Sequence, residues 1–398
     1  MPPQKNKERP KKLIAFIEDQ EASDAIKEGL KEISVENSEF FQGGVKEAIE
    51  FFSHNRSPEY LIIDISKSDL PISDLSRLSE VCEPGVNVLA IGVRDDIGLY
   101  RDLMKLGIME YLVKPLFAEI ISRALKSMIF GEEGDKASKI KLGKIITVQG
   151  ARGGVGTSFL TTNLAAILAN ERSRRVIVVD MDIHFGTVAL YFNLKSNDGL
   201  NAALEDPERV DQLFLERLFI AVNERLNILT SEVPINETKN YSQDSIKQLL
   251  SYLSKLFHYV IVDIPHNFDE AAGFILHRSN IHILVTEASL AGLRDSGRII
   301  RYLGEDQLNY RLILVLNKFI KEGEGKLSPE DFENTLKRKV DHLIPYEASI
   351  NNELINAGKT ILEADTPLKR PIQEIANNIQ GIKDEEKETH SIWDFFKR

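Results

Sequence analysis

Apolar residues along the chain fall into two series of short runs, each run bounded by turn residues and followed by a stretch with helical spacing. In the first series the runs cover residues 13–17, 60–65, 86–91 and 110–113, and stretches such as 22–33 and 97–106 carry the helical pattern between them. Short continuous apolar runs are strands buried on both faces, and their alternation with helices predicts a parallel sheet covered on both sides. Residues 11–130 therefore read as a small doubly wound α/β domain. Residues 131–143, opening with Gly131 and a mixed charged and small-residue stretch to Lys139, have no periodicity and read as a linker. A second series starts at Lys144, with runs at 145–148, 176–179, 226–229, 259–262, 281–285 and 312–316. It predicts a larger parallel-sheet α/β domain over 144–380, of about six strands or more. Residues 381–398 form a tail that begins with charge and ends in Ile392, Trp393, Phe395 and Phe396 beside two terminal cations.

Composition narrows the field. Across 398 residues, 50 Lys and Arg face 61 Asp and Glu, a net charge of −11, and 42% hydrophobic with 28% charged residues is the make-up of a folded globular chain. No apolar run approaches the roughly 18 residues of a spanning helix. The N-terminus is charged and Pro-bearing, without a signal-peptide core, so a cytoplasmic location is expected. The single Cys82 allows neither an intrachain disulfide nor a Cys-cluster metal site, which fits a reducing compartment. The acidic balance disfavours a nucleic-acid-coating surface; Lys337, Arg338 and Lys339 are the best local basic cluster. The His residues form no i, i+4 pair, which argues against a His-based metal site, and His184 reads as a loop residue.

The chemistry concentrates where the first strand of the second series ends. Residues 149–158 read Gln-Gly-Ala-Arg-Gly-Gly-Val-Gly-Thr-Ser, and Leu160, Leu164, Ile167 and Leu168 after them have the spacing of an amphipathic helix. Glycines between a strand and a helix N-terminus let backbone N–H groups converge on an anion that the helix dipole also favours. Gly153, Gly154, Val155, Gly156, Thr157 and Ser158 are thus the candidate phosphate cradle, with the Ser158 hydroxyl placed for Mg²⁺. The standard pattern puts lysine immediately before that serine. Here the residue is Thr157, and Arg152 is the cation left in the loop. Two further runs lead straight into carboxylates, Asp180 with Asp182 and then Asp263, at the strand ends that face the ligand crevice of an open α/β sheet. Asp263 suits a Mg²⁺-holding role, Asp180 is grouped with it and Ser158 as a candidate Mg²⁺ ligand, and Asp182 is placed to orient an attacking water.

These residues, with Phe185-Gly186, Ile264-Pro265, Leu293-Arg294-Asp295, Leu316-Asn317-Lys318, Ile344-Pro345-Tyr346 and Ala357-Gly358, resemble the MinD/ParA family of deviant-Walker ATPases over about residues 144–379. They are most similar to its CpaE/TadZ group, which assists assembly and polar placement of Tad-type pili. The resemblance implies a P-loop fold, ATP and Mg²⁺, and a homodimer that sandwiches nucleotide. In MinD/ParA proteins a lysine stands at the position of Arg152 and reaches the partner's phosphates; in the CpaE/TadZ group it is often arginine, and the second lysine is often a small residue. Asn317 resembles the family residue that reads adenine. Losing the P-loop lysine removes cationic stabilisation worth roughly 10³ to 10⁵ in rate, so nucleotide binding with slow or absent hydrolysis is expected. The implied partners are pilus or secretion-machine proteins. The competing readings are an active ParA-like ATPase that partitions DNA or cargo, and a response regulator with an ATPase-like output.

The first domain resembles response-regulator receivers, a flavodoxin-like fold. Glu18 and Asp19 end its first strand where receivers hold an acidic Mg²⁺ pair, Asp64 stands at the phosphoacceptor position, and Lys114 precedes Pro115 as the phosphoryl-binding lysine does. The fourth part, a Thr or Ser hydroxyl, is Gly92. The expected role is dimerisation or partner docking with idle acidic residues, and phosphorylation of Asp64 is the alternative. For the aromatic tail, docking on this protein or a partner is expected over lipid, so any membrane contact is at most peripheral.

Overall fold

The computed structural model describes residues 13–31, 33, 37–130, 142–207, 211–267, 269–304, 311–320, 327–347, 354 and 356–382. Most of the expected linker and the aromatic tail, including Trp393, lie outside the described residues. The chain divides into two compact units, residues 1–143 and 144–398, both α/β.

Among the described residues the first unit carries one parallel sheet of five strands: β1 (Leu13–Ile17), β2 (Ser38–Gln42), β3 (Tyr60–Asp64), β4 (Asn87–Gly92) and β5 (Glu110–Val113), in the order β2-β1-β3-β4-β5. This is the flavodoxin-like doubly wound order. In β1, Leu13, Ala15 and Ile17 pack toward helices Gln20–Lys31 and Ala118–Phe130, while Ile14 and Phe16 pack toward helices Val45–His54 and Pro71–Val81. The period of two along a strand requires apolar residues at every position when both faces are covered, which is why β1 and β3 are unbroken apolar runs. β2 escapes that pattern. Its sequence Ser-Glu-Phe-Phe-Gln is part exposed because it pairs on one side only, with β1.

Among the described residues the second unit carries eight strands: β6 (Lys144–Gly150), β7 (Val176–Asp180), β8 (Ile220–Ala221), β9 (Leu226–Leu229), β10 (Tyr259–Ile264), β11 (Ile281–Glu287), β12 (Arg311–Phe319) and β13 (His342–Pro345). Their order is β13-β12-β11-β6-β10-β7-β9-β8, parallel except for the two-residue β8. β6 sits in the middle of this sheet, and the chain leaves it into helix Thr157–Ala166. Ile146 and Val148 face that helix and helix Lys369–Gln380, whereas Val260 and Val262 of β10 face helix Gln243–Leu256.

The helix after the glycine loop departs from the amphipathic expectation. Every residue from Phe159 to Ala166 is buried, and the chain continues into a π-helical turn, Ile167–Glu171. The sheet covers one side and helix Lys369–Gln380 with the short helix Val188–Tyr191 covers the rest. A helix enclosed all round loses its polar stripe. Its polar residues are bonded inside the fold: Thr162 Oγ1 donates to the Ser158 carbonyl at 2.8 Å, and Asn163 Nδ2 donates to the Phe159 carbonyl at 2.8 Å while its Oδ1 accepts from the Ile361 N–H at 2.8 Å.

Candidate functional site

In each unit the candidate residues collect where parallel strands end. In the second unit, β6 delivers the glycine loop and β10 delivers Asp263 beside it, since the two strands pair in register. Gly154 and Gly156 take φ of +80° and +94°, a region glycine enters without a Cβ penalty. A Cβ on Gly156 would stand 2.4 Å from Asn317 Nδ2. Two side chains at the end of β12 hold the loop: Asn317 Nδ2 donates to the Val155 carbonyl at 2.7 Å, and Lys318 Nζ donates to the Gly154 carbonyl at 2.7 Å. With those carbonyls fixed, the loop and the N-terminus of helix Thr157–Ala166 line a cavity of about 400 Å³. Its lining includes Arg152, Gly153, Gly154, Gly156, Thr157 and Ser158, together with Asp182, Asp263, His266 and Asn317. Val155 instead turns its side chain into the core and contributes its carbonyl.

The carboxylates differ in what they can do. Asp263 is buried and accepts a hydrogen bond from Thr161 Oγ1 at 3.2 Å; burial nonetheless pushes its carboxyl up to about 7, and the neighbouring Asp182 charge acts the same way. Asp180 is also held well above the usual carboxylate range, by burial first and then by the Asp263 charge. Its oxygens are engaged, however. They accept from the Asp182 and Val188 N–H groups, each at 3.2 Å, and a Cβ on Gly186 would come within 2.4 Å of Oδ2. Asp180 therefore shapes the loop that carries Asp182, and it does not line the cavity. Asp182 does line it, with Oδ1 accepting from the Phe185 N–H at 3.0 Å.

Among the described residues no three or more His, Cys, Asp and Glu side chains gather as a metal site. The oxygens of Ser158 and Asp263 remain, hard donors lining the cavity beside the glycine loop. Few protein ligands with the remainder from water and phosphate is how Mg²⁺ is commonly held, so the donor set fits it. His184, as expected, is a loop residue whose Nδ1 lies 3.1 Å from the Val233 carbonyl.

Three members of this site carried no assigned role in the sequence reading. Lys318 follows Asn317 directly, and its adjacency is the signal that was available. Asp295, on helix Leu290–Leu303, binds Arg152 with Nη1 and Oδ2 2.8 Å apart, although the two lie 143 positions apart in sequence. His266, three residues beyond Asp263, lies over Gly153. Of the basic cluster 337–339, Arg338 is turned inward to the Leu312 carbonyl, which removes the middle charge from the surface patch.

In the first unit the acidic residues also meet, with two lysines among them. Lys114 bonds both Asp19 and Asp64, the latter at 2.6 Å, and Lys67 bonds Glu18 at 2.7 Å. The Asp64 side chain is fully enclosed and also accepts from the Glu18 N–H and from the Ser66 N–H and hydroxyl. Burial pulls Lys114 down, but its bonds to Asp19 and Asp64 outweigh that and hold it above its usual range; the same bond lowers Asp19. A hydroxyl-bearing side chain at Gly92 would have to displace Tyr111. A Cβ there would stand 2.4 Å from the Tyr111 hydroxyl, which donates to the Arg94 carbonyl at 2.9 Å.

Residues 146–361 match the family described as CbiA, the CobQ/CobB/MinD/ParA nucleotide binding domain. The septum site-determining protein MinD of Thermotoga maritima is 22% identical over 256 residues, 60% of this chain and 89% of that protein. A tyrosine-protein kinase ptk of Acinetobacter johnsonii is 31% identical over 132 residues, 33% of this chain, and the chain spans 18% of that protein's length. The structure of septum site-determining MinD from Pyrococcus horikoshii, complexed with Mg-ADP, superposes with a TM-score of 0.52 at 19% identity, covering 61% of this chain and all of that one. Among the described residues no helix is long and apolar enough to cross a membrane.

Proposed function

The chain belongs to the CobQ/CobB/MinD/ParA nucleotide-binding family, its matched residues 146–361 being more than half of its length, and from that premise we propose that its second unit binds ATP with Mg²⁺ as a dimeric assembly or positioning factor that hydrolyses ATP slowly or not at all. The machine it serves is a Tad-type pilus or a related secretion apparatus, as in the CpaE/TadZ group that its motifs resemble. One observation carries the reading: the cavity has a phosphate cradle and a Mg²⁺ donor pair, yet Thr157 occupies the lysine position on its wall.

The residues divide the work. Backbone N–H groups from Gly153 to Ser158 receive the phosphates, Asn317 and Lys318 keep the loop in shape, and Ser158 with Asp263 hold Mg²⁺. When bound, Mg²⁺ neutralises phosphate charge. Asp182 orients water, and adenine lies on the Asn317 side. Without the lysine, charge developing on the transferring phosphoryl group is poorly matched, which favours binding over turnover. Arg152 acts in trans. In the monomer it is held by Asp295, and association of two copies would exchange that carboxylate for the partner's phosphate. The first unit serves as a dimerisation or docking module whose acidic cluster is neutralised by its own lysines. The inward turn of Arg338 and the net charge of −11 weigh against the DNA-partitioning alternative.

Titration calorimetry with ATP and with ADP, each with Mg²⁺, tests this reading. Wild type is expected to bind both, and Ser158→Ala to lose at least about tenfold in Mg²⁺-dependent affinity, the scale of one charge-assisted contact. Arg152→Ala is expected to fold normally and to elute as a monomer on gel filtration with ATP, where wild type elutes as a dimer. Identical elution of the two would remove the trans role.

A further inference from the structure

Among the described residues three basic side chains line the phosphate cavity: Arg152, His266 and Lys318. Two of them are engaged. The Arg152 guanidinium lies 2.8 Å from Asp295, and the Lys318 ammonium donates to the Gly154 carbonyl at 2.7 Å. His266 is exposed, and its ring rests against the outer limb of the glycine loop: a Cβ built on Gly153 would stand 3.5 Å from both Nδ1 and Cε1. The backbone places it there. β10 ends at Ile264, Pro265 offers no N–H to continue the ladder, and the chain leaves the sheet above the crevice with residue 266 leading.

We propose that His266 binds the terminal phosphate of the nucleotide, supplying the donor that the missing lysine at position 157 would have given. The inference rests on the reading of this cavity as an ATP site and adds to it the group that distinguishes triphosphate from diphosphate. The inner part of the loop, from Gly154 to Thr157, lies at the helix N-terminus, where the inner phosphates belong. His266 approaches over Gly153 and lines the same cavity as Asp182 and Asp263, the residues assigned to water and Mg²⁺ beside the terminal phosphate. An imidazole carries an N–H in both its neutral and charged forms, so the contact needs no proton uptake. The role is one of binding, and no bond is made or broken through the ring. Glycine at 153 keeps the space between ring and loop clear of a side chain.

The test is titration of the full chain with ATP and with ADP, both with Mg²⁺, on wild type, His266→Ala, His266→Gln and the double variant Thr157→Lys with His266→Ala. Circular dichroism of each variant checks the fold, which an exposed loop residue should not disturb. His266→Ala is expected to weaken ATP about tenfold and ADP by less than about threefold, as loss of one hydrogen bond to a charged group would. The Gln variant, which keeps an N–H donor, should recover part of the loss, and lysine at 157 should restore ATP binding in the Ala background. No loss, or equal losses for ATP and ADP, overturns the assignment while leaving the nucleotide reading intact. Wild type that binds neither nucleotide overturns both.

Discussion

The two units each gather three carboxylates at the C-terminal ends of parallel strands, and they neutralise them in opposite ways. In the first, Glu18, Asp19 and Asp64 meet the ammonium groups of Lys67 and Lys114 at hydrogen-bond distance. In the second, Asp180, Asp182 and Asp263 have no such partner among the described residues. The nearby cations are drawn elsewhere, Arg152 to Asp295 and Lys318 to a backbone carbonyl, and burial raises the carboxyls of Asp180 and Asp263, helped by the Asp263 charge at Asp180 and by the Asp182 charge at Asp263. The comparison teaches that acidic strand ends alone do not define a cation site. What decides is whether the fold supplies the counter-charge itself, as the first unit does, or leaves it to be brought by a bound group.

Removing the internal counter-charge should break the contrast most sharply. Lys114→Ala leaves the enclosed Asp64 carboxylate without its ammonium partner, and breaking such a buried pair typically costs about 3–5 kcal/mol. Urea denaturation should show the first unit's transition moving to lower denaturant by that order. Millimolar Mg²⁺ should recover part of the loss in the variant and leave wild type unchanged. Equal stabilisation of both proteins would mean that the lysines are not what closes this cluster.

A smaller effect is expected at Gly92. Serine there must displace the Tyr111 hydroxyl from the Arg94 carbonyl, an overpacking penalty of about 1–3 kcal/mol. Tyr111→Ala should relieve it, so that the double variant departs from additivity in the favourable direction. A strictly additive pair would show that Tyr111 is not the obstacle.

A pH-dependent effect concerns an imidazole buried in the second unit away from the site. His282 is enclosed in β11 beside Thr147 Oγ1, 2.9 Å away, and burial pushes its imidazole down to about 3. The unfolded chain takes up a proton near pH 6.5 that the folded chain refuses. Below that pH the unfolded state binds more protons, so stability is present above pH 6.5 and falls as pH drops toward 3, by up to about 1.4 kcal/mol per pH unit. His282→Asn should flatten that slope in denaturation midpoints measured between pH 4.5 and 7. Parallel slopes for the two proteins would contradict a neutral buried imidazole.

The legible parts of the sequence were those that local pattern controls. Strands β1, β3, β7 and β10 are enclosed on both faces, so their apolar runs are unbroken, and the glycine loop is contiguous with the strand and helix that give it meaning. β2 and β8 were hidden because an edge strand needs little burial and a two-residue strand has no period to detect. The all-round burial of helix Thr157–Ala166 depends on helix Lys369–Gln380, two hundred residues on, which no local window contains. Arg152 shows the same limit within the site. Its place in the loop is evident from the sequence, but its engagement by Asp295 is set by the folding of a helix 143 positions away.

If Thr157 makes the second unit a nucleotide binder with little turnover, phosphate release at saturating ATP and Mg²⁺ measures that directly. Wild type is expected to release phosphate at least about tenfold more slowly than Thr157→Lys, since restoring a cation to the phosphoryl group should recover part of the roughly 10³ to 10⁵ that such charges supply. Wild type that matches or exceeds the lysine variant, above all if DNA accelerates it further, would contradict the account and make an active partitioning ATPase the better description.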